Sequence, residues 1–209
     1  MMDKPRAAGT MAALVHPAFM FDALRDAATR SFFEEISLSQ NAGKAESASR
    51  TRTVSWADPG ISAGAVRKGA SGIEFLQKIV SGEIPPPPIA ELMGFSFTHV
   101  EAGLAVFECD PAEYHYNPIG VVHGGLACTL LDSAMSCAIQ TTVPAGSGYT
   151  TLELKVHLVR AITDKTGHLR AEGRIVHGGS RMGTAEGKLI DAEGKIYAHG
   201  TTTCMIIKM

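Results

Sequence analysis

Apolar residues along the chain change their period several times, and each change marks a different kind of element. Phe19, Phe21, Leu24, Ala28, Phe32 and Ile36 recur at helical spacing, so residues 18–36 are expected to form one amphipathic helix. Ser39–Arg50, rich in Ser, Ala, Gly, Asn and Lys, reads as a linker. A better helix is predicted over Ser71–Gly82. Ser71 can cap it, Glu74 stands three residues on, Ile73, Leu76, Ile79 and Val80 make a stripe, and Gly82 stops it. Pro85–Pro88 follows as a rigid polyproline spacer, then Ile89–Met93 as a helical turn ending at Gly94.

From Phe95 the pattern becomes β-like. Phe95–Val100 and Leu104–Cys109 predict a hairpin closed by Glu101–Gly103. Tyr149–Arg160, His168–His177, Thr184–Asp191 and Ile196–Ile206 predict four further strands. No helix-length connection separates these four, so an antiparallel meander is expected. Between the two groups lies Gly124–Val143, apolar around nearly its whole circumference, which predicts a buried helix. Asp132, Gln140 and several hydroxyls interrupt it too much for a membrane span. Two strands, one buried helix and four strands point to an α+β fold with a sheet wrapped around a central helix.

Composition removes several functions. Nineteen basic residues against 21 acidic ones give no cationic excess to attract nucleic acid or an anionic membrane. The 209 residues, 45% of them hydrophobic, suit one domain plus an extension. Residues 1–50 are assigned to the extension, partly helical or loosely ordered, and 51–209 to the domain, with its core at 89–206. The extension has two readings: a targeting or partner helix, or a loose segment upstream of an internal start at Met11 or Met20. Cys109, Cys128, Cys137 and Cys204 form no C-x-x-C pair, so neither a metal site nor a redox motif is expected. Reduced thiols and the absence of an apolar leader suggest a cytoplasmic protein.

Asp132 is the most informative residue, a carboxylate in the middle of an apolar helix. A charge kept there needs a partner or a task. A structural aspartate bonded to backbone or to Ser136 is the plainer alternative. His123-Gly124-Gly125 opens the same helix, where free N–H groups and the helix dipole can stabilise an oxyanion. His177-Gly178-Gly179 repeats the tripeptide before a strand, where it reads as a hairpin turn. Gly124 and Asp132 stand eight residues apart, about 12 Å along a helix. They cannot act on one carbonyl from one chain, so a site using both combines two subunits. Asn117 is an amide before Pro118 and also a common turn residue. Thr151 opens a strand, where threonine is usually a plain β-former. Cys128 and Cys137 read as small buried residues. Most of the 22 glycines fall in the linker, hairpins and strands and suggest no function.

Asn117-Pro-Ile-Gly-Val-Val-His123-Gly-Gly, Leu130-Leu-Asp132 and Tyr149-Thr-Thr-Leu-Glu-Leu-Lys155 together resemble the hotdog-fold acyl-CoA thioesterases of the phenylacetate-pathway (PaaI-like) type. The resemblance covers residues 89–206, with Arg160-Ala161 where many relatives carry Arg-Pro. It implies a curved antiparallel sheet around a long helix, homodimers paired edge to edge with shared active sites, and often a dimer of dimers. It also implies an acyl-CoA substrate hydrolysed without cofactor. By the same resemblance Asp132 is base or nucleophile and the Gly124 N–H polarises the thioester. Asn117 and His123 position the thioester and water, and Thr151 lies near the water. Asp132 and Thr151 come from one subunit and the other three from its partner. Gly125, Gly178, Gly179, Ser180 and Arg181 fall where related enzymes hold coenzyme A. Two rivals are a non-catalytic acyl-CoA-binding hotdog protein and a hotdog enoyl-CoA hydratase or dehydratase; no histidine occurs between Gly124 and Lys155 to serve the latter. Tyr114, Tyr116 and Met135 are candidates for the acyl pocket.

Overall fold

The computed structural model describes residues 49–67 and 69–208. The helix expected over residues 18–36, and nearly all of the linker after it, lie outside the described residues. Three short helices precede the sheet. The first, α1 (Pro59–Arg67), was not expected from periodicity, because small residues fill it. Its start follows a capping rule all the same: the Asp58 carboxylate accepts the Gly60 N–H at 2.8 Å, and Pro59 occupies the first helical position.

The second helix, α2 (Gly72–Val80), carries the expected capping box. The Ser71 hydroxyl accepts the Glu74 N–H, and the Glu74 carboxylate accepts the Ser71 N–H at 2.9 Å. The Ser71 hydroxyl also donates to the Glu74 carboxylate at 2.7 Å, and this bond, with that from the Ser71 N–H, holds the carboxyl below its ordinary range. Ser71→Ala is expected to lower stability by about 1 kcal/mol. The check is a lower urea midpoint at unchanged slope.

After the proline run, α3 (Pro88–Met93) ends at Gly94, whose φ of 70° needs a residue without Cβ strain. Arg52 reaches back to this end. Its guanidinium donates to Leu92 O at 2.6 Å and Glu91 O at 3.1 Å, and lies over the Tyr114 ring.

Six strands form one antiparallel sheet: β1 (Phe95–Glu101), β2 (Leu104–Cys109), β3 (Ser147–Leu158), β4 (Leu169–Gly178), β5 (Met182–Ile190) and β6 (Ile196–Lys208). Their order is β1-β2-β4-β5-β6-β3, which corrects the expected meander. β4, β5 and β6 do meander, but β3 pairs with β6 over its whole length, from Ser147 opposite Lys208 to Leu158 opposite Ala198. Residues 159–168 then cross to β4 under the start of the central helix, where Val122 N–H donates to Ile162 O at 2.9 Å. The local pattern defines a strand but not which sheet edge it joins.

The sheet curves around α4 (Gly124–Gln140). This helix stops at Gln140, three residues short of expectation. The Thr141 and Thr142 hydroxyls donate to Ala138 O and Ile139 O one turn back, and Pro144 follows. Leu130, Leu131, Ala134, Met135, Ala138 and Ile139 are fully buried against the sheet.

Glycines set the distance between helix and sheet. Gly173, Gly187 and Gly200 stand opposite one another on β4, β5 and β6. A Cβ on Gly173 would lie 2.2 Å from the Ala134 backbone, and one on Gly187 would lie 2.7 Å from Met135. The strand glycines therefore have a packing role that the sequence pattern did not show.

Candidate active site

Asp132 sits midway along α4 and is half-buried, not enclosed as the apolar helix suggested. Its partner is Thr151, whose hydroxyl donates to Asp132 Oδ1 at 3.0 Å. The alternative of a structural bond to Ser136 is not what is found. Ser136 instead faces the Tyr149 hydroxyl at 3.2 Å. Asp132 Oδ2 takes no hydrogen bond among the described residues, so a lone pair is open.

A β-bulge brings Thr151 to Asp132. The β3–β6 register shifts between Thr151 and Glu153. Before the shift, Tyr149 and Thr151 face the helix; after it, Leu154 and Val156 do. Strict alternation would turn Thr151 outward if Leu154 pointed inward. The extra residue, Leu152, stands 57% exposed.

Asp132 and Ser133 form one wall of a cavity of about 270 Å³. Most of the rest of the lining is apolar, with Phe75 and Ile79 of α2, Pro86, and Phe97 and Phe107 of β1 and β2, while Ser62, Ser136, Gln140 and Tyr149 add polar groups. Phe97 and Phe107 stack at 4.4 Å. Sequence reasoning missed these wall residues, although the apolar stripe of α2 was the signal that this helix covers something. Tyr114, Tyr116 and Met135, the acyl-pocket candidates, are not among the residues lining this cavity. Tyr114 lies under Arg52, Tyr116 donates to Asp164 at 2.7 Å, and Met135 is packed in the core. Burial pushes the Tyr149 phenol well above its ordinary range and the Cys137 thiol up to about 12. Both stay neutral near pH 7, so Cys137 is no thiolate nucleophile.

The start of α4 forms a second cluster. His123 caps the helix, its Nδ1 accepting the Gly125 N–H at 2.9 Å. This bond places the ring proton of neutral His123 on Nε2. The Gly124 N–H has no partner among the described residues, as expected of the first helical donor. A Cβ there would meet Leu158 Cδ1 at 2.5 Å. Asn117 builds the preceding loop: its Oδ1 accepts from Ile119 N–H at 3.1 Å and Val121 N–H at 3.3 Å. Asn117, Gly124, Leu158 and Arg160 line a separate cavity of about 310 Å³. The structure therefore places Asp132 with Thr151 in one cluster and Asn117, His123 and Gly124 in another.

Gly178, Gly179, Ser180 and Arg181 form the exposed β4–β5 hairpin, closed by Gly179 N–H to Met182 O at 2.9 Å. They line neither cavity.

A six-stranded antiparallel sheet curved around one long helix is the hotdog fold. The family model of the thioesterase superfamily matches residues 119–198, which run from the Asn117 loop through α4 to β6. None of the curated proteins matches the chain. Among solved structures, the chain is similar to a phenylacetic acid degradation-related protein from Ralstonia eutropha JMP134. The identity is 28% and the TM-score 0.57, over 62% of this chain and 98% of that one. It is also similar to a conserved protein from Pseudomonas aeruginosa, at 28% identity and TM-score 0.53, over 57% and 93% of the two chains. A thioesterase from Haemophilus influenzae shares the fold at 17% identity and TM-score 0.56, over 68% of this chain and 95% of that one. Among the described residues no helix is long and apolar enough to cross a membrane.

Proposed function

We propose that the protein is a PaaI-like acyl-CoA thioesterase, hydrolysing an acyl-CoA to a free acid and coenzyme A at sites shared between two copies of the chain. The observation that carries this reading is Asp132, held by Thr151, on the polar wall of a largely apolar cavity. The thioester carbonyl carbon sits at the mouth and the acyl group inside. Thr151 fixes Asp132 Oδ1, and Oδ2 takes the proton of a water as the water oxygen attacks. The carbonyl oxygen becomes an oxyanion, received by the partner's Gly124 N–H, and the sulfur leaves with the bond electrons and a proton.

The free edge of β3 supports the shared arrangement. This strand ends the sheet, and Leu152 and Leu158 stand 57% and 55% exposed on it. Among the described residues nothing pairs with this twelve-residue edge, which makes it a template for a second copy. Thr151, beside Asp132, stands near the middle of the strand, and Leu158, beside Gly124, is its last residue. Antiparallel pairing of two such strands centred between Leu154 and Lys155 sets Thr151 opposite the partner's Leu158, and so lays each Asp132 against the partner's Gly124.

Coenzyme A release from a panel of acyl-CoAs tests the activity. Mixing two inactive variants tests the sharing. Gly124→Pro removes the N–H at a first helical position, after a His123 already at φ −61°, ψ 132°, and its Cβ meets only the end of the exposed Leu158 side chain, which can turn away. Gly124→Pro and Asp132→Asn are each expected to be nearly inactive. Co-refolded in equal amounts, they should recover activity in about a quarter of the sites, since a mixed dimer holds one intact site. No recovery would place the whole site in one chain.

A further inference from the structure

One side chain separates two cavities. Phe75, one turn into α2, lines the Asp132 cavity of about 270 Å³ and also a second cavity of about 730 Å³ beside α1 and α2. Among the described residues no other lines both. The second cavity is a groove with Ile61 and Ala65 of α1, Phe75 and Ile84 as its apolar surface. Its glycines leave it wide: a Cβ on Gly64 would still meet nothing within 4 Å. The charges along it are already engaged. Glu74 is held by Ser71, and Lys78 pairs with Glu83 at 3.0 Å. Phe75 itself is buried, packed with Leu76 and Ile84.

Phe75 belongs to the end of the Asp132 cavity far from the carboxylate. α2 starts against the end of α4: the Gly72 N–H donates to Val143 O at 2.9 Å, and a Cβ on Gly72 would run into the Gln140 carbonyl. Gln140 lines the cavity eight residues beyond Asp132, about 12 Å along the helix. A chain that enters at Asp132 and runs along α4 therefore meets the turn of α2 that carries Phe75.

We infer that Phe75 sets the length of acyl chain the protein accepts: its ring is the end wall that stops the chain, and without it the chain runs on into the groove beside α1. This inference rests on the thioesterase reading, which puts the thioester carbonyl at Asp132. An extended chain advances at most ~3.3–3.6 Å per three backbone bonds, so about 12 Å holds about ten bonds. The substrate class is therefore a short- to medium-chain acyl thioester, of up to about ten carbons.

The test measures even-numbered acyl-CoAs from acetyl to tetradecanoyl, for wild type, Phe75→Ala, Phe75→Leu and Ile84→Ala. Two quantities are followed: kcat/KM for coenzyme A release, and binding of the matching non-hydrolysable thioether analogues. A single methylene in an apolar pocket changes kcat/KM by about 10- to 200-fold, so wild type should fall at least ~10-fold past its limit. Phe75→Ala should move that limit to longer chains and raise the tetradecanoyl value at least ~10-fold. Phe75→Leu keeps more of the packing and should move it in the same direction, which covers an alanine variant that does not fold. Ile84→Ala removes packing from the same cluster but lines only the groove, so its limit should stay where wild type has it. A wild type with no limit, or Phe75 variants whose limit matches that of Ile84→Ala, overturns the inference, while turnover itself leaves the thioesterase reading standing. A length limit in binding that moves with Phe75, without turnover of any chain, supports the end wall and overturns the thioesterase reading instead.

Discussion

Asp132→Asn is expected to slow coenzyme A release by about 10²- to 10⁴-fold, the usual contribution of a positioned general base. The substitution is close to isosteric. Its amide oxygen can still accept the Thr151 hydroxyl, now found 3.0 Å from Asp132 Oδ1, so the fold and the bulge in β3 should persist. What disappears is the carboxylate oxygen free to take a proton from water. Cys137, the thiol nearest in the cavity wall, is pushed up to about 12 by burial and cannot replace it near neutral pH. The measurement is kcat under saturating acyl-CoA, with binding of a thioether analogue as the control. Binding should stay within a few-fold of wild type. Equal turnover by both proteins would remove Asp132 from the chemistry.

Gly173→Ala should be among the most damaging single changes to stability. Its added Cβ would fall 2.2 Å from the Ala134 carbonyl carbon and oxygen and 2.5 Å from Met135 N. These are backbone atoms of a buried helix, so no side-chain rotation relieves the contact. α4 would have to lift off β4, opening a layer packed by Leu130, Leu131 and Ile139. Overpacking alone typically costs about 1–3 kcal/mol, and the gap opened beside the helix adds to it. We expect a loss of at least ~3 kcal/mol, or a chain that does not fold. Gly64→Ala is the control: a Cβ there meets nothing within 4 Å, and it lies in helix α1. Alanine at that position should be neutral or stabilising by up to ~1 kcal/mol. Urea unfolding of both variants gives the comparison, and a Gly173→Ala protein as stable as Gly64→Ala would refute the close helix–sheet contact.

Periodicity and capping made most of the described elements legible. The capping box of α2, the stop at Gly94, all six strands and the long central helix follow from local residue pattern, because capping and alternation act over a few residues. The pattern failed where the outcome depends on distant partners. Nothing local distinguishes β3 joining β6 from β3 joining β4. The helix α1 escaped because its residues are too small to make a stripe, although Asp58-Pro59 carried its start signal. The strand glycines looked idle because their contact, the backbone of α4, is remote in sequence.

The candidate site divides the same way. By itself the sequence determined which groups are available: a lone carboxylate within an apolar helix, a glycine with a free N–H at that helix's start, and eight residues between them. Helix geometry is fixed per residue, so that spacing alone keeps the two from acting on one carbonyl within one chain. The tertiary structure decided what each group faces. The bulge at Leu152 turns Thr151 onto Asp132, and α2 with the proline run closes an aromatic cavity over it. These juxtapositions join residues up to about eighty positions apart, and packing rather than any local rule brings them together.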